Sequence, residues 1–143
     1  MGGYNAVVAD STLSLKAAGL VAASAAGSLI VDLGDGYSEA VLLAKVSALE
    51  IASANEFYGL ILQGSPDAAF GTAGNIVELA QFSIGAKGAR LSDADKDDTT
   101  GVYEWPVHNR WNGTTYRYVR IYTHVAGTVA TGINYEAGLV VRA

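Results

Sequence analysis

Residues 115–125 alternate in residue type, and this alternation constrains the fold more than any other feature of the chain. One set of alternate positions holds Val119, Ile121, Thr123 and Val125, and the other holds Tyr116, Tyr118, Arg120 and Tyr122. Because successive side chains of a β-strand point to opposite faces, a period of two predicts a half-buried strand. Asn112-Gly113 just before it favours a tight hairpin, since both residues tolerate a positive φ.

Other short segments of the same kind follow one another along the chain. We predict strands over residues 29–33, 40–51, 57–63, 76–84, 102–105 and 137–141. Gly34-Asp35-Gly36 supplies one turn, and residues 64–67, with Pro66, supply another. Glu78 interrupts the apolar side of the strand over 76–84, which leaves the register of that strand open. Short strands between glycine turns, without a long amphipathic helix, predict an all-β sandwich or barrel.

The first 28 residues differ from the rest because they are small and mixed in character. We expect an extended N-terminal arm over 1–28, with one short strand or helical turn at most, and a single β-sandwich domain over 29–143. The arm carries Leu13, Leu15, Leu20 and Val21 without a regular period. Such side chains would form an exposed apolar patch on a monomer, so we expect them to be buried against a neighbouring copy.

Composition excludes several classes of protein. The net charge of −5 argues against a nucleic-acid binder, whose first signature is a basic face. The absence of cysteine excludes disulfides and thiolate chemistry, and it fits synthesis in a reducing cytoplasm. No run of strongly apolar residues is long enough to span a membrane. Charged residues make up only 16% of the chain, against about 25% in an ordinary domain, which suits a surface covered by neighbours.

Candidate residues for catalysis or metal binding are few. His108 and His124 have no nucleophile or paired carboxylate at a recognisable spacing, so we expect no enzymatic activity and no cofactor. An acidic insertion occupies residues 85–100. Asp93, Asp95, Asp97 and Glu104 fit positions 1, 3, 5 and 12 of a calcium-binding loop, but Asp98 stands where that loop requires glycine. A solvated acidic loop is therefore favoured over a metal site.

Aromatic residues concentrate in the C-terminal third of the chain. They are Trp105, Trp111, Tyr116, Tyr118 and Tyr122, and Arg117 and Arg120 lie among them. Tyrosine and arginine are enriched at protein interfaces, so we interpret this group as a surface covered by a partner subunit. The alternative is a carbohydrate-binding module in which the tryptophans stack on sugar rings.

Several short motifs occur in an order that resembles a known family. Asp32-Leu33-Gly34 ends the first strand, and residues 62–70 read LQGSPDAAF. A proline-bearing strand follows, then RYVRIY over 117–122, a glycine-rich turn and AGLV over 137–140. In this order the chain resembles the capsid cement (decoration) proteins of short-tailed phages, in the family of the Bordetella phage cement protein. The resemblance covers about residues 29–84 and 105–143 and departs from the pattern in the acidic insertion and in the hairpin over 111–115.

The resemblance implies a jelly-roll-like antiparallel sandwich, assembled as homotrimers on the outer surface of a tailed-phage head. It implies that the protein is made in the bacterial cytoplasm and binds the major capsid protein and itself, with no nucleic-acid or membrane partner. It also implies a stabilising role, in which each copy bridges capsid subunits. Together with the residues above, it makes Leu13, Leu15, Leu20, Val21, Tyr116, Tyr118, Arg120 and Tyr122 the expected interface. The carbohydrate-binding module of a phage fibre or surface protein remains the alternative.

Overall fold

The computed structural model describes residues 13–89 and 98–141, which form almost entirely β-structure. The strands are β1 (Ser14–Lys16), β2 (Leu20–Val21), β3 (Ala25–Ala26), β4 (Val31–Asp32), β5 (Glu39–Leu49), β6 (Phe57–Ser65), β7 (Val77–Gly85), β8 (Gly101–His108), β9 (Arg110–Trp111), β10 (Thr114–Thr115), β11 (Tyr118–Ala126) and β12 (Ile133–Val141). Single 3-10 turns occur at Ala73–Asn75 and Lys87–Ala89. Each predicted strand overlaps an observed one, so the all-β prediction is confirmed.

The strands form two antiparallel sheets that pack face to face. The first sheet has the order β1, β12, β5, β8, with β2 also on β12, and the second has the order β3, β11, β6, β7, with β4 also on β11. Because β1 and β2 lie one after the other along β12, and β3 and β4 along β11, each couple acts as one interrupted strand. Each sheet then has four strands, and the eight follow the order of a jelly roll.

The described part of the N-terminal segment supplies the first two of these eight strands. Ser14 pairs with Gly138 of β12, and Ala26 pairs with Tyr122 of β11. Leu15 is fully buried in the core of its own chain. The prediction of an extended arm is therefore wrong for residues 14–26, and the part of that arm over residues 1–12 lies outside the described residues. Strands of two or three residues are too short to show the period of two on which the prediction depended.

Main-chain segments approach each other closely just after β3. Gly27 lies between β3 and β4, and its amide donates to the carbonyl of Ile121 at 2.8 Å. A Cβ atom at this position would lie 2.9 Å from the carbonyl oxygen of Leu15 and from the side chain of Ile121. Glycine is thus required where the chain after β3 fits between Ile121 of β11 and the main chain at Leu15 of β1.

The core lies between the sheets and is built from alternate positions of the long strands. Its buried members are Leu15, Ala40, Leu42, Ala44, Val46, Val107, Ile133, Tyr135, Ala137 and Leu139 from the first sheet, and Val31, Tyr58, Leu60, Leu62, Ile84, Val119 and Ile121 from the second. Two hydroxyls inside it satisfy each other, since Thr123 Oγ1 lies 2.5 Å from Tyr135 Oη. The predicted inward set of β11 is confirmed: Val119, Ile121 and Thr123 are buried.

A bulge in β7 explains why Glu78 interrupts the apolar pattern. Ala80 pairs with Leu62 and Glu78 pairs with Gln63, so Leu79 is the extra residue between them. An extra residue reverses the face of the sheet to which the side chains before it point. Glu78 therefore shares the solvent side with Gln63, while Ala80, Phe82 and Ile84 face the core.

The proline-bearing strand β8 lies at the edge of the first sheet, as its sequence predicts. Pro106 pairs with Val41 of β5, and β8 has no second neighbour in the described sheet. Proline lacks the N–H that a central strand needs for its second ladder, so an edge position costs nothing. None of the helical turns in the described part of the chain has the length or hydropathy of a membrane span.

Candidate functional site

The outer side of the second sheet carries most of the predicted interface tyrosines. Tyr118, Arg120 and Tyr122 project from β11, and their partners on β6 are Ser65, Gln63 and Ile61. We call Ile61, Gln63, Tyr118, Arg120 and Tyr122 the tyrosine face. The three β11 side chains are half-buried, although they point away from the core. Directly opposite residues share one side of a sheet, so these side chains form a continuous surface.

Arg120 is held at the centre of the tyrosine face by contacts within its own chain. Its Nε donates to Gln63 Oε1 at 2.8 Å, and its guanidinium lies 4.3 Å from the ring centroid of Phe70. Phe70 is 7% exposed and has a φ of 52°, so the loop after β6 holds the ring against the sheet. Burial lowers the pKa of Arg120, while the contact over an aromatic face favours its cation. No described carboxylate pairs with Arg120, so this charge remains available to a partner.

The loop that holds Phe70 is stabilised by one carboxylate. Asp67 Oδ1 and Oδ2 accept the amides of Ala69 and Gly71, both at 3.1 Å, and its main-chain oxygen accepts the amide of Phe70 at 3.0 Å. These main-chain hydrogen bonds lower the pKa of Asp67, that from Ala69 most strongly. The burial of Phe70 shows that its ring fills the space under this loop.

Arg117 lies beside the tyrosine face in an ion pair on the surface. Its Nε and Nη2 donate to the two oxygens of Asp32 at 2.8 and 2.9 Å, and its guanidinium lies 5.3 Å from the ring centroid of Tyr118. The hydrogen bond from Arg117 lowers the pKa of Asp32 and raises that of Arg117 itself. This two-point geometry joins β4 to the start of β11.

Tyr116 does not belong to the tyrosine face, and the prediction that it shares one with Tyr118 is wrong. β11 begins at Tyr118, so Tyr116 lies in the connection that follows the β9–β10 hairpin. Its amide donates to the carbonyl of Asn109 at 2.8 Å, which directs it toward the end of the sandwich. The alternation of sequence continues through residue 116, but the strand does not.

Tyr116 instead lines an open groove at that end of the sandwich. The groove has a volume of about 690 Å³ and lies between the hairpin and the residues before β7. Trp111, Thr114, Thr115 and Tyr116 line one side, and Asn75 and Glu78 are among the residues of the other. We call this the end groove. The predicted Asn112-Gly113 hairpin is confirmed, with φ values of 49° and 82° at its two central residues.

Asn109 fixes the base of this hairpin, and sequence reasoning missed it. The residue is fully buried, and its Nδ2 donates to the carbonyls of Gly36 and Tyr116 at 3.0 and 2.9 Å. Its Oδ1 accepts the amide of Ser38 at 2.9 Å. A single asparagine gives no sequence signal of burial, because asparagine is mostly exposed in proteins.

The two tryptophans occupy different environments. Trp105 is half-buried on β8, where its ring stacks on Phe82 with centroids 4.1 Å apart. Tyr103 stacks on the same tryptophan at 5.8 Å. Trp111, in contrast, is 48% exposed on the end groove. The structure thus separates the aromatic residues that the sequence places together.

Both histidines are exposed on the surface. His108 lies 5.8 Å from the ring of Tyr37, and His124 lies on the outer side of β11, 6.0 Å from the ring of Phe57. Ser24 Oγ is 3.5 Å from His124 Nδ1, but that oxygen accepts the amide of Val125 at 2.8 Å. The serine therefore serves to join the main chain before β3 to β11.

The weak metal candidate falls mostly outside the described residues. Asp93, Asp95 and Asp97 are not described, and Glu104 is exposed on β8. Within residues 13–89 and 98–141, no three His, Cys, Asp or Glu side chains come together in a way that would hold a metal ion.

The four apolar residues predicted for an exchanged arm are not equivalent. Leu15 is buried in its own core, and Leu13 and Val21 are half-buried. Leu20 is 58% exposed, so of the four it alone offers a large apolar surface. Leu29 and Ile30, 37% and 40% exposed, lie between β3 and β4 at the edge of the second sheet.

The fold and these surfaces define an all-β jelly-roll protein with an aromatic outer face and an end groove. Comparison with protein-family models and with curated proteins finds no match for the chain.

Proposed function

We propose that this chain is a capsid cement protein, a non-enzymatic virion component that binds the outer surface of a tailed-phage head and stabilises it. The observation that carries the proposal is the tyrosine face, where two tyrosines and an arginine lie on the outside of a rigid sheet. Side chains of these types dominate the binding energy of protein interfaces. The order of sequence motifs described above supplies the choice of partner, which is the major capsid protein.

The tyrosine face has the properties of a surface prepared for a partner. Arg120 is already immobilised by Gln63 and Phe70, so binding would cost little of its side-chain freedom. Tyr118 and Tyr122 are also held on the sheet, and tyrosine offers a large contact area with few rotatable bonds. The exposed Leu29 and Ile30 extend an apolar surface along the edge of the same sheet.

A cement protein stabilises a shell by mass action, because it binds the assembled lattice and not the separated subunits. In the homotrimer that we propose, each of the copies contacts the shell, and linked contacts increase the overall affinity. Modest contacts from each tyrosine face are then sufficient. The trimer contacts themselves draw on the N-terminal strands, where Leu20 exposes a large apolar side chain on the first sheet.

The direct test is the protein composition of virions purified from the phage or prophage that encodes the chain. We expect the chain in stoichiometric amounts on intact heads, removable by mild denaturant, with heads that break at lower temperature once it is removed. Heads that lack the chain altogether would overturn the proposal. Light scattering on the purified protein tests the trimer separately, and a monomer at micromolar concentration would contradict it.

Variants test whether the tyrosine face makes the contact. Tyr118→Ala combined with Tyr122→Ala should abolish rebinding to stripped heads, since truncating such aromatic anchors costs about 2 kcal/mol or more. Tyr37→Ala is the matched control, because Tyr37 is a 46% exposed tyrosine that lies away from this face. If the double variant keeps its circular dichroism spectrum and rebinds like the parent, another surface meets the shell.

A further inference from the structure

The end groove is large enough to hold a small molecule. Its volume of about 690 Å³ falls within the roughly 300–1,000 Å³ of ligand pockets. It is open to solvent on one side, so a ligand can enter without a conformational change. The groove lies at the end of the sandwich, whereas the tyrosine face lies on its side.

Trp111 is presented in the groove as a flat aromatic surface. The tight Asn112-Gly113 turn places Trp111 opposite Thr114 in the two-stranded hairpin. The hairpin is anchored by the buried Asn109 that precedes it. This side chain accepts the amide of Ser38 and donates to the carbonyl of Tyr116, which follows the hairpin. An indole that is 48% exposed on an anchored hairpin can accept a ligand ring without rearranging.

Polar side chains surround this aromatic surface. Asn75, Glu78, Thr114 and Thr115 all line the groove. None of these four side chains makes a hydrogen bond to another residue of the described part of the chain. They include donors and acceptors at several positions around the indole, which matches a ligand with hydroxyl groups along its rim.

The charge of the groove restricts the ligand further. Glu78 is the one charged residue among the described residues that line it. A single carboxylate in an acidic chain disfavours phosphate and carboxylate groups, and its oxygens accept hydrogen bonds from the hydroxyl groups of a neutral ligand. The faces of a pyranose ring carry C–H groups that suit the negative face of an indole, and its edges carry hydroxyls.

We propose that the end groove binds a neutral sugar, with a pyranose ring stacked on Trp111 and its hydroxyls bonded to Asn75, Glu78 and the two threonines. The ligand class is a neutral hexose or N-acetylhexosamine unit, as found in surface polysaccharides. This site shares no residue with the tyrosine face, but the two adjoin, since Glu78 of the groove lies directly opposite Gln63 on the outside of the second sheet. A cement protein with this groove would attach the particle weakly to a polysaccharide.

The experiment uses the full chain with Trp105→Phe, so that Trp111 is the sole tryptophan. Trp105 stacks on Phe82 away from the groove, and phenylalanine preserves an aromatic contact there. The probes are oligosaccharides of glucose, galactose, mannose, N-acetylglucosamine and N-acetylgalactosamine, with sialyllactose and polygalacturonate as anionic comparisons. We expect at least one neutral probe to shift the fluorescence of Trp111 at millimolar concentration. In NMR, saturation should transfer from the protein to the sugar-ring protons of that probe.

Matched variants locate the site. Trp111→Ala in the parent chain should weaken binding of the same probe about tenfold or more, as expected for loss of an aromatic anchor. Thr115→Val should weaken it less, while Val102→Ala, a change at an exposed residue of β8 in the other sheet, should leave it unchanged. No response to any neutral probe, a preference for the anionic probes, or undiminished binding by folded Trp111→Ala would each overturn the proposal. If Trp111→Ala lowers the oligomer mass and no sugar binds, the groove is a subunit contact instead.

Discussion

Replacing Asn109 by alanine tests how the end of the sandwich is held together. The side chain connects three main-chain segments, because it bonds Gly36, Ser38 and Tyr116 at 2.9–3.0 Å. Alanine removes these three hydrogen bonds at once and leaves three partly buried main-chain groups without that partner. No other described side chain reaches the same groups.

The expected loss of stability follows from these contacts. Each hydrogen bond contributes about 0.5–1.5 kcal/mol net, so three of them predict a loss of about 3 kcal/mol. For a domain of this size, such a loss lowers the melting temperature by roughly 10 °C. The end groove should be affected as well, because Asn109 anchors the hairpin that carries Trp111.

Urea denaturation followed by circular dichroism measures the loss. We expect a lower midpoint with an unchanged slope, which indicates lost stability and not a different unfolded state. Asn134→Ala is the matched control, since Asn134 Oδ1 is buried and finds no hydrogen-bond partner among the described residues. Its replacement removes no such hydrogen bond and should lower stability by no more than about 0.5 kcal/mol. Equal effects of the two substitutions, or a loss below about 1 kcal/mol for Asn109→Ala, would refute the reasoning.

Three further predictions concern the N-terminal strands, a glycine and a carboxylate. Leu15→Ala should lower the free energy of unfolding by about 2–5 kcal/mol, because Leu15 fills the core. Leu20→Ala should lower it by about 0.5 kcal/mol or less. Equal losses in thermal unfolding would restore the arm hypothesis. Gly132→Ala should prevent stable folding, since its Cβ would lie 1.9 Å from the main-chain oxygen of residue 21. Gly113→Ala is the control: its Cβ would meet nothing within 4 Å, so it should cost only about 1–2 kcal/mol of stability for its positive φ. A soluble Gly132→Ala that melts cooperatively would contradict this. Glu50 accepts three main-chain amides between residues 130 and 132, and these bonds, that from residue 132 first, lower its pKa. The carboxylate therefore stabilises the fold at pH values above the ordinary pKa of a glutamate. This stabilisation is lost as the pH falls through the lowered pKa. Glu50→Gln should be less stable than the parent at neutral pH and equal to it in acid, and a difference that persists in acid would exclude this explanation.

Local sequence determined the strands that are long enough to show a period. Residues 119–125 alternate between core and surface in the structure as they do in the sequence, because the geometry of a strand sends successive side chains to opposite sides. The Asn112-Gly113 hairpin and the edge position of Pro106 were also predictable, since φ and a missing N–H are properties of single residues. An aromatic outer face with Tyr118, Arg120 and Tyr122 follows from the same alternation.

Only the tertiary structure decided what depends on contacts between distant segments. The first two strands of the jelly roll are pieces of two or three residues, so their strand character comes from pairing with β11 and β12 and not from their own pattern. Pairing with β6 also decided that Leu79 is the extra residue of a bulge, which turns Glu78 outward. The hairpin that lines the end groove is joined to the rest of the sandwich by the buried Asn109, which binds main chain more than 70 residues away along the sequence. Alternation is a property of neighbouring residues and can be read from the chain, whereas the burial of Leu15 and Asn109 arises only when segments remote in sequence are brought together.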